Sequence, residues 1–292
     1  MRETVRVQAR SALFDVYGDH LRRRGGTAPV ASLIRLLGAL DIAAPAVRTA
    51  ISRMVRQGWL AAVSTPDGPG YRLTERAERR LDDAYARIYR TGGNSQARAG
   101  RPGQPGRPAD PWDGRWHVLV AQRPATRSAR ERLGGGLTFL GYAPLSGGTW
   151  IAPHAHPDAE VVLEAEGVRG EAFFAAYDGE GAALAGRAWD LAAVAAAYER
   201  FEADARALLA ATSAGPEPDR TAFATRSQLV HEWRKFLFLD PGLPGAVLPA
   251  GWPGHRAAEL FDRAAGELLP AASRYVDTCL GLTAQRTSEE NA

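Results

Sequence analysis

Apolar side chains in the first 60 residues recur every three or four positions, which is the spacing of amphipathic helices. The first run contains Leu13, Phe14, Tyr17 and Leu21, with Asp15, Asp19 and Arg22 on the opposite side. A shorter run over 33–40 begins near Pro29, and a third occupies 45–57. We therefore expect three short helices, the last two joined by a tight turn over 41–44.

The third predicted helix has two contrasting faces. Pro45 suits its first turn and Gly58 its end. Its apolar side would carry Val47, Ile51, Met54 and Val55, whereas its other side carries Arg48, Thr49, Ser52, Arg53 and Arg56. Guanidinium forks match guanine edges and phosphates, so the second face suits a helix that enters a DNA major groove. A solvated basic surface is the plainer interpretation of the same residues.

A β-hairpin is predicted directly after this helix. Residues 59–63 and 71–73 have strand composition, and the intervening segment 64–70 is dense in turn formers. A hairpin after a basic helix is typical of a winged helix, with Arg72 on the wing as a phosphate contact. Thr74 is expected to cap a fourth helix.

Strand and helix signals alternate over 111–178. Strands are expected at 116–120, 139–142 and 149–151, and Phe173, Phe174 and Tyr177 belong to a last strand. Helical signals occupy 125–134 and 157–166. The order βαββαβ predicts a ferredoxin-like domain.

The remaining sequence completes an α+β fold of several domains. Residues 179–283 have helical spacing, interrupted by a proline-rich loop over 241–253, and predict a helical C-terminal domain, the candidate region for effector binding and dimerisation. Residues 284–292 have the composition of a disordered tail. Residues 91–110 contain eight Gly or Pro and predict a flexible linker after a winged-helix domain of residues 1–90.

Charge is unevenly distributed along the chain. Residues 1–110 contain 19 Arg against 10 acidic residues, whereas 111–292 contain 17 basic and 23 acidic residues. A basic N-terminal part on an acidic body is typical of a DNA reader attached to a domain that does not bind DNA. The single cysteine excludes an intramolecular disulfide, and the lack of a signal-peptide or membrane-spanning apolar run favours the cytoplasm.

Three other features invite a chemical interpretation. His154 and His156 are spaced as two metal ligands, but a site needs three or four, so two solvated loop histidines are favoured and no metal is expected. The run 134–136 of three glycines lacks the order of a phosphate-binding loop and is expected to be a plain loop. No hydrolase or metalloprotease motif is present, so no catalytic residue is assigned.

The segment 226–240 combines cations with aromatic rings. Its functional interpretation is an anionic effector with an apolar end, bound by Arg226, His231, Trp233, Arg234 and Lys235. Its structural interpretation is a core helix with buried aromatic side chains and a salt-bridged outer face.

Several segments together resemble the PaaX family of bacterial transcriptional regulators, the phenylacetic acid degradation repressors. They are ARSALFD (9–15), VRTAISRMV (47–55), WDGRW (112–116), WIAP (150–153), WDL (189–191) and LVHEWRKFLFLDPGLP (229–244). The resemblance implies a winged helix, a ferredoxin-like middle domain similar to Cas2, and a helical C-terminal domain. It also implies a homodimer on a double-stranded operator, released by an effector that is phenylacetyl-CoA in the founding branch.

The likeness to Cas2 raises a nuclease hypothesis, but Asp113 precedes the first strand instead of ending it, and the strand ends in 120–123 without a metal-binding carboxylate. The hypothesis from the sequence is therefore a dimeric repressor that responds to an aryl- or acyl-CoA thioester and needs no cofactor. The alternative is an enzyme that acts on such a metabolite and carries an autoregulatory winged helix.

Overall fold

The computed structural model describes residues 8–79, 81, 112–212 and 217–282. The predicted linker 91–110 and tail 284–292 lie outside these residues, as does most of the predicted fourth helix. No helix among the described residues is both long enough and apolar enough to cross a membrane.

The N-terminal region contains the three predicted helices and the predicted hairpin. Its elements are α1 (Ala9–Val16), β1 (Thr27–Pro29), α2 (Val30–Gly38), α3 (Ala44–Arg56), β2 (Leu60–Thr65) and β3 (Gly68–Leu73). A π-helical turn, Tyr17–Leu21, extends α1. Gly58 adopts a φ of 70° after α3, as its predicted role at the helix end requires.

The short strand β1 was not predicted, because three residues ending in proline have no strand pattern of their own. It pairs antiparallel with β3, which therefore becomes the central strand of a sheet with the order β1-β3-β2. Thr74 accepts a hydrogen bond from the Ala77 N–H at 3.3 Å, and residues 75–79 are helical, so the predicted cap is confirmed.

The core of this region is formed by the apolar faces of α1, α2 and α3. Val55 was expected on the buried face of α3 but is 36% exposed, and Ala50 is buried instead. Val55 lies in the last turn of α3, next to the exposed Arg56 and Gln57.

The middle region has the predicted order βαββαβ. Its elements are β4 (Arg115–Ala121), α4 (Arg127–Phe139), β5 (Ala143–Pro144), β6 (Thr149–Ala152), α5 (Ala159–Ala165) and β7 (Gly170–Ala176). The strands form one antiparallel sheet with the order β5-β6-β4-β7. This is the strand order of the ferredoxin-like fold, in which the two helices cover one face of the sheet.

Helix α4 corrects two expectations. It continues through the glycine run 134–136, which was expected to be a loop, and ends where a strand over 139–142 was expected. Leu133 and Leu137 keep the helical spacing across the glycines and are buried. A Cβ on Gly136 would lie 2.7 Å from Val162 Cγ1, so this glycine allows α4 and α5 to pack closely.

The C-terminal region is helical, as predicted. It contains α6 (Gly181–Ala188), α7 (Leu191–Thr212), α8 (Pro218–Trp233), α9 (Phe236–Leu239) and α10 (Gly254–Leu280), with Pro270 inside α10.

The chain forms two compact units whose boundaries differ from the predicted domains. One unit combines residues 1–86 with 203–234 and 260–292, and the other combines 87–202 with 235–259. The boundaries fall inside α7 and α10, so the predicted C-terminal domain is shared between the units. The physical reason lies in the core of the first unit, where Phe223, Ala272, Val276 and Cys279 join the apolar cluster of α1–α3.

Candidate nucleic-acid interface

Helix α3 separates its apolar and polar residues as the sequence predicts. Val47, Ile51 and Met54 are buried. The five polar residues of its other face are all exposed: Arg48, Thr49, Ser52, Arg53 and Arg56. None of the three arginines forms an ion pair with a residue that the structure describes, so their guanidinium groups remain available to an external anion.

Thr49 differs from the other polar residues of this face, because its hydroxyl already has a partner. Its Oγ1 donates a hydrogen bond to the carbonyl oxygen of Pro45 at 2.9 Å. The hydroxyl proton is therefore used within the helix, and the methyl group and the oxygen lone pairs remain for an external contact. A methyl group at this position suits the C5-methyl of thymine.

Arg72 lies at the base of the wing, the hairpin formed by β2 and β3. It pairs with Ala61 on β2 and with Thr27 on β1, and its side chain is exposed. The turn of the wing contains Asp67, which is also exposed. The wing thus carries the cationic Arg72 at its base and the acidic Asp67 at its tip.

Two close contacts hold β3 of the wing against α1 and β1. The buried hydroxyl of Tyr17 donates a hydrogen bond to the carbonyl oxygen of Tyr71 at 3.0 Å. A Cβ on Gly70 would lie 2.8 Å from the carbonyl oxygen of Ala28, so glycine allows β3 to approach β1. These contacts fix the sheet relative to α1 within one core.

The residues predicted to bind an effector lie on or next to α8, and Arg226 is the most buried of their cations. Its guanidinium donates two hydrogen bonds to the Asp19 carboxylate, at 2.8 and 2.9 Å, and a third to the Ala265 carbonyl oxygen. Both side chains of the ion pair are 4% exposed. Arg226 therefore joins the end of α1 to α8 and α10 and presents no accessible nitrogen to a ligand.

A second ion pair on α8 uses Asp15, one turn earlier on α1. Its carboxylate lies 2.8 Å from His231 Nδ1 and accepts a hydrogen bond from Arg234 at 2.5 Å. His231 and Arg234 keep 12% and 26% of their side chains exposed. Arg234 and His231 are thus partly accessible to an external anion, as is the exposed Lys235.

The two remaining effector candidates, Trp233 and Lys235, belong to different compact units. Trp233 is buried and stacks on Phe261 with a distance of 4.7 Å between ring centroids, as the packing interpretation expected. Lys235 is exposed and belongs to the other unit.

His20 lies beside the buried ion pair on α1. Its Nε2 is 3.2 Å from a carboxylate oxygen of Asp19, and its ring packs on Phe223. Burial lowers the pKa of His20 to about 4, and Arg226 and Arg24 add to this effect while Asp19 opposes it. Because Arg226 already neutralises the Asp19 charge, desolvation dominates and His20 is neutral at pH 7.

The histidines considered as metal ligands are partly buried instead of solvated. His154 and His156 line a small cavity with residues of the loops that follow α4 and α9. The His156 ring accepts a hydrogen bond from the Asp158 N–H at 3.1 Å. Across 8–79, 112–212 and 217–282, no three His, Cys, Asp or Glu side chains are grouped to hold a metal ion.

Asp113, the carboxylate considered for a nuclease, is exposed and forms a salt bridge with Arg115 at 2.8 Å. A hydrogen bond from the Arg115 backbone N–H lowers the pKa of Asp113. The Asp113 carboxylate is thus already paired with a neighbouring surface residue, Arg115.

Asp15 and Asp19 are the residues whose importance the sequence analysis missed, since it assigned them to the outer side of the first helix. Both are buried against α8. The available signal was their spacing: two acids four residues apart lie on the same face of a helix, where one neighbouring helix can contact both.

Comparisons with known proteins agree with this architecture. Three sequence models match consecutive parts of the chain: PaaX-like protein at 8–77, the PaaX protein central Cas2-like domain at 109–183, and the PaaX-like protein C-terminal domain at 189–278. The chain is 28% identical to the transcriptional repressor PaaX of Escherichia coli K12 over 285 residues, which cover 93% of this chain and 84% of that protein. An uncharacterised protein of Mycobacterium tuberculosis has a similar solved structure, with a TM-score of 0.58, 26% identity, and coverage of 93% of this chain and 98% of that chain.

Proposed function

This chain belongs to the PaaX family, and from that premise we propose that it is a sequence-specific DNA-binding transcriptional repressor of the PaaX type. The observation that carries the proposal is the exposed face of α3, where three arginines without ion-pair partners among the described residues stand beside two hydroxyl side chains. The relative identified by name is a repressor, which favours a regulator over the enzyme alternative.

In this proposal α3 lies in the major groove of operator DNA. Arg48, Arg53 and Arg56 bind guanine edges or phosphates, and Ser52 donates to a phosphate or base. Arg72 contacts the DNA backbone from the base of the wing. The excess of Arg over acidic residues in 1–110 attracts DNA of any sequence, so affinity should fall steeply with added salt.

The repressor acts as a homodimer on an operator. Two-fold symmetry then requires two half-sites whose centres are about one DNA turn apart, or a multiple of that distance.

An effector that releases the DNA belongs to the same proposal. The family favours an aryl- or acyl-CoA thioester such as phenylacetyl-CoA, whose phosphates need cations. His231 and Arg234 suit this role because they are partly exposed, and each also holds Asp15 of α1. We infer that the anionic ligand competes with Asp15 for Arg234 and His231 and thereby loosens α1 from α8.

The DNA-binding part is tested by selection from a random duplex library, followed by anisotropy titration of the enriched duplex. We expect a palindromic site and binding at least a thousandfold tighter than to random duplex at equal salt, since specific readers reach about that ratio. An Arg48→Glu and Arg53→Glu double variant should lose this preference while keeping its circular dichroism spectrum. Failure of the selection to enrich any sequence would refute the proposal.

The effector part is tested by calorimetry with phenylacetyl-CoA and free CoA, and by titrating the same ligands into the protein–DNA complex. A tenfold loss of DNA affinity requires about 1.4 kcal/mol of differential binding. Asp15→Asn removes the competing charge, so it should tighten thioester binding. If several thioesters fail to bind, the effector part is wrong and the DNA-binding part stands.

A further inference from the structure

Two arginines and two aromatic rings form a row on the surface of the N-terminal region, which we call the arginine–aromatic row: Arg10, Phe14, Trp59 and Arg76. The Arg10 guanidinium lies 5.8 Å from the centre of the Phe14 ring, and the Arg76 guanidinium lies 5.0 Å from the centre of the Trp59 ring. The two rings meet edge to face, with 5.3 Å between their centroids. Both cation–ring distances are within the range of a cation–π contact. The rings are partly buried against the core, whereas both arginines are exposed.

The arginine–aromatic row holds each guanidinium by its flat face and leaves its hydrogen-bond donors unused. Neither Arg10 nor Arg76 forms an ion pair or a side-chain hydrogen bond with a residue that the structure describes. Contact with a ring uses the face of the planar guanidinium, whereas the N–H groups point outward within its plane. The N–H groups of both arginines are therefore positioned and available to an external anion.

Both arginines of the row occupy the first turn of a helix. Arg10 is the second residue of α1, and Arg76 is the second of the helical residues 75–79. A cation at this end of a helix is repelled by the helix dipole, so neither arginine stabilises its own helix. The neighbouring acid Glu75 pairs with Arg79, at 3.7 Å, instead of with Arg76. An anion outside the chain is therefore the partner that suits both cations.

The row lies directly beyond the C-terminal end of α3. The Trp59 N–H donates to the Met54 carbonyl oxygen at 2.9 Å, and Gly58 between them has a φ of 70°, so Trp59 is fixed to the last turn of α3, which carries Arg56. With 13 residues, α3 is about 20 Å long, whereas the major groove is about 12 Å wide. A straight helix of this length leaves the curved groove at its ends, where the phosphate backbone passes.

We propose that Arg10 and Arg76 bind phosphates of the DNA strand that passes the C-terminal end of α3. This inference rests on the proposed function and extends its DNA contacts to α1 and to residues 75–79. Phe14 and Trp59 hold the guanidinium groups before DNA arrives, so less side-chain freedom is lost on binding. Because phosphates are the same in every sequence, Arg10 and Arg76 position α3 and add affinity without selecting a base.

The salt dependence of DNA binding tests the two phosphate contacts. In a full-length Arg10→Gln and Arg76→Gln double variant, the slope of log affinity against log salt should be shallower by about 1.8 for each copy bound, since each phosphate contact contributes about 0.9. Affinity for the selected duplex and for random duplex should fall by the same factor, so the preference between them is kept. An Arg130→Gln and Arg263→Gln double variant removes the same charge from exposed positions on α4 and α10 and should keep the parent slope.

Neutral methylphosphonates, placed one at a time along the selected duplex, locate the contacts. At one or two positions beside the bases that α3 reads, the parent chain should lose affinity, whereas the Arg10→Gln and Arg76→Gln double variant should not. Arg53→Ala, which changes α3 alone, should remain sensitive at these positions.

Phe14→Leu tests the role of the rings, because it keeps both charges and removes the ring beneath Arg10. It should weaken binding to the selected and the random duplex by the same factor, and by less than Arg10→Gln does. Parent affinity in this variant, with an unchanged circular dichroism spectrum, would overturn the part of the proposal that assigns Phe14.

The outcomes separate this inference from the proposed function. If the parent chain binds an enriched duplex but the Arg10→Gln and Arg76→Gln double variant keeps the parent slope, the phosphate contacts are wrong and DNA binding by α3 stands. Equal changes of slope in this variant and in its charge-matched control would overturn the contacts in favour of net charge alone. If the selection enriches no sequence, the proposed function fails, and this inference fails with it.

Discussion

At the scale of single residues, Arg53 is the most direct test of the α3 face. Arg53→Ala should weaken binding to the selected duplex by about 1–3 kcal/mol, because a guanidinium that pairs with a base edge is worth that much. Anisotropy titration measures the change. Arg127→Ala removes the same charge from an exposed position on α4 and should leave the affinity unaltered. Equal losses in both variants would mean that net charge alone binds DNA.

Thr49 gives a sharper prediction, because its hydroxyl proton bonds to Pro45. Thr49→Val keeps the methyl group and should retain affinity, whereas Thr49→Ser should lose about 0.8 kcal/mol, the usual value of one buried methylene-sized group. The thymines of the selected duplex are then replaced one at a time by deoxyuridine, which lacks the C5-methyl group. At one position the parent chain should lose affinity, whereas the Thr49→Ser variant should not. The opposite order of the two variants would show that Thr49 acts through its hydroxyl.

His20 predicts a pH dependence of stability. Its pKa is lowered to about 4 in the folded chain by burial, whereas an unfolded histidine titrates near 6.5. The unfolded state therefore binds a proton that the folded state does not, so stability is full above pH 6.5 and falls by about 3 kcal/mol as the pH drops to about 4. Urea unfolding between pH 4 and 7 measures the slope. His20→Leu should flatten it, and an unchanged slope would exclude His20 as its source.

At the scale of elements, the contact of α1 with α8 depends on a buried ion pair. Arg226→Leu should lower the free energy of unfolding by about 3–5 kcal/mol, since it removes the guanidinium that neutralises the buried Asp19 carboxylate, and adding Asp19→Leu should recover most of the loss. Denaturant titrations of the single and double variants measure both effects. Arg274→Leu breaks an exposed pair with Asp219 and should lower the free energy of unfolding far less than Arg226→Leu. A double variant as unstable as the single one would contradict this account.

Elements with a strong period were predictable from the sequence, and elements decided by distant partners were not. The faces of α3 and the order βαββαβ followed from residues close in the chain. Strand β1 depends on its pairing with β3, and Gly136 of α4 packs closely against Val162 of α5. The cations of α8 were identified, but their partners Asp15 and Asp19 lie more than 200 residues earlier, so spacing within α8 alone did not distinguish a ligand site from an internal ion pair.

At the scale of the whole molecule, residues 203–234 and 260–292 belong to the same compact unit as residues 1–86. Phe223 is fully buried in the cluster formed with α1–α3, together with Val276 and Ala272 of α10. The isolated fragment 1–90 would expose this apolar surface and leave Asp15 and Asp19 without their cations. Small domains have little stability to lose, and burying one phenylalanine contributes about 1.5–3 kcal/mol.

We therefore expect the fragment 1–90 to lack cooperative urea unfolding, monitored by far-ultraviolet circular dichroism and Trp59 fluorescence. Adding the fragment 203–282 in trans should restore a sigmoidal transition, because it supplies the missing core and ion-pair partners. The same fragment with Phe223→Asp should restore nothing and serves as the matched control. Weak DNA binding by 1–90 is expected also from loss of the second DNA-binding copy, so the unfolding transition is the decisive measurement. A fragment 1–90 that unfolds cooperatively by itself, at the denaturant midpoint of the full chain, would show that it is an independent domain. In that case α8 and α10 would contribute nothing to its stability.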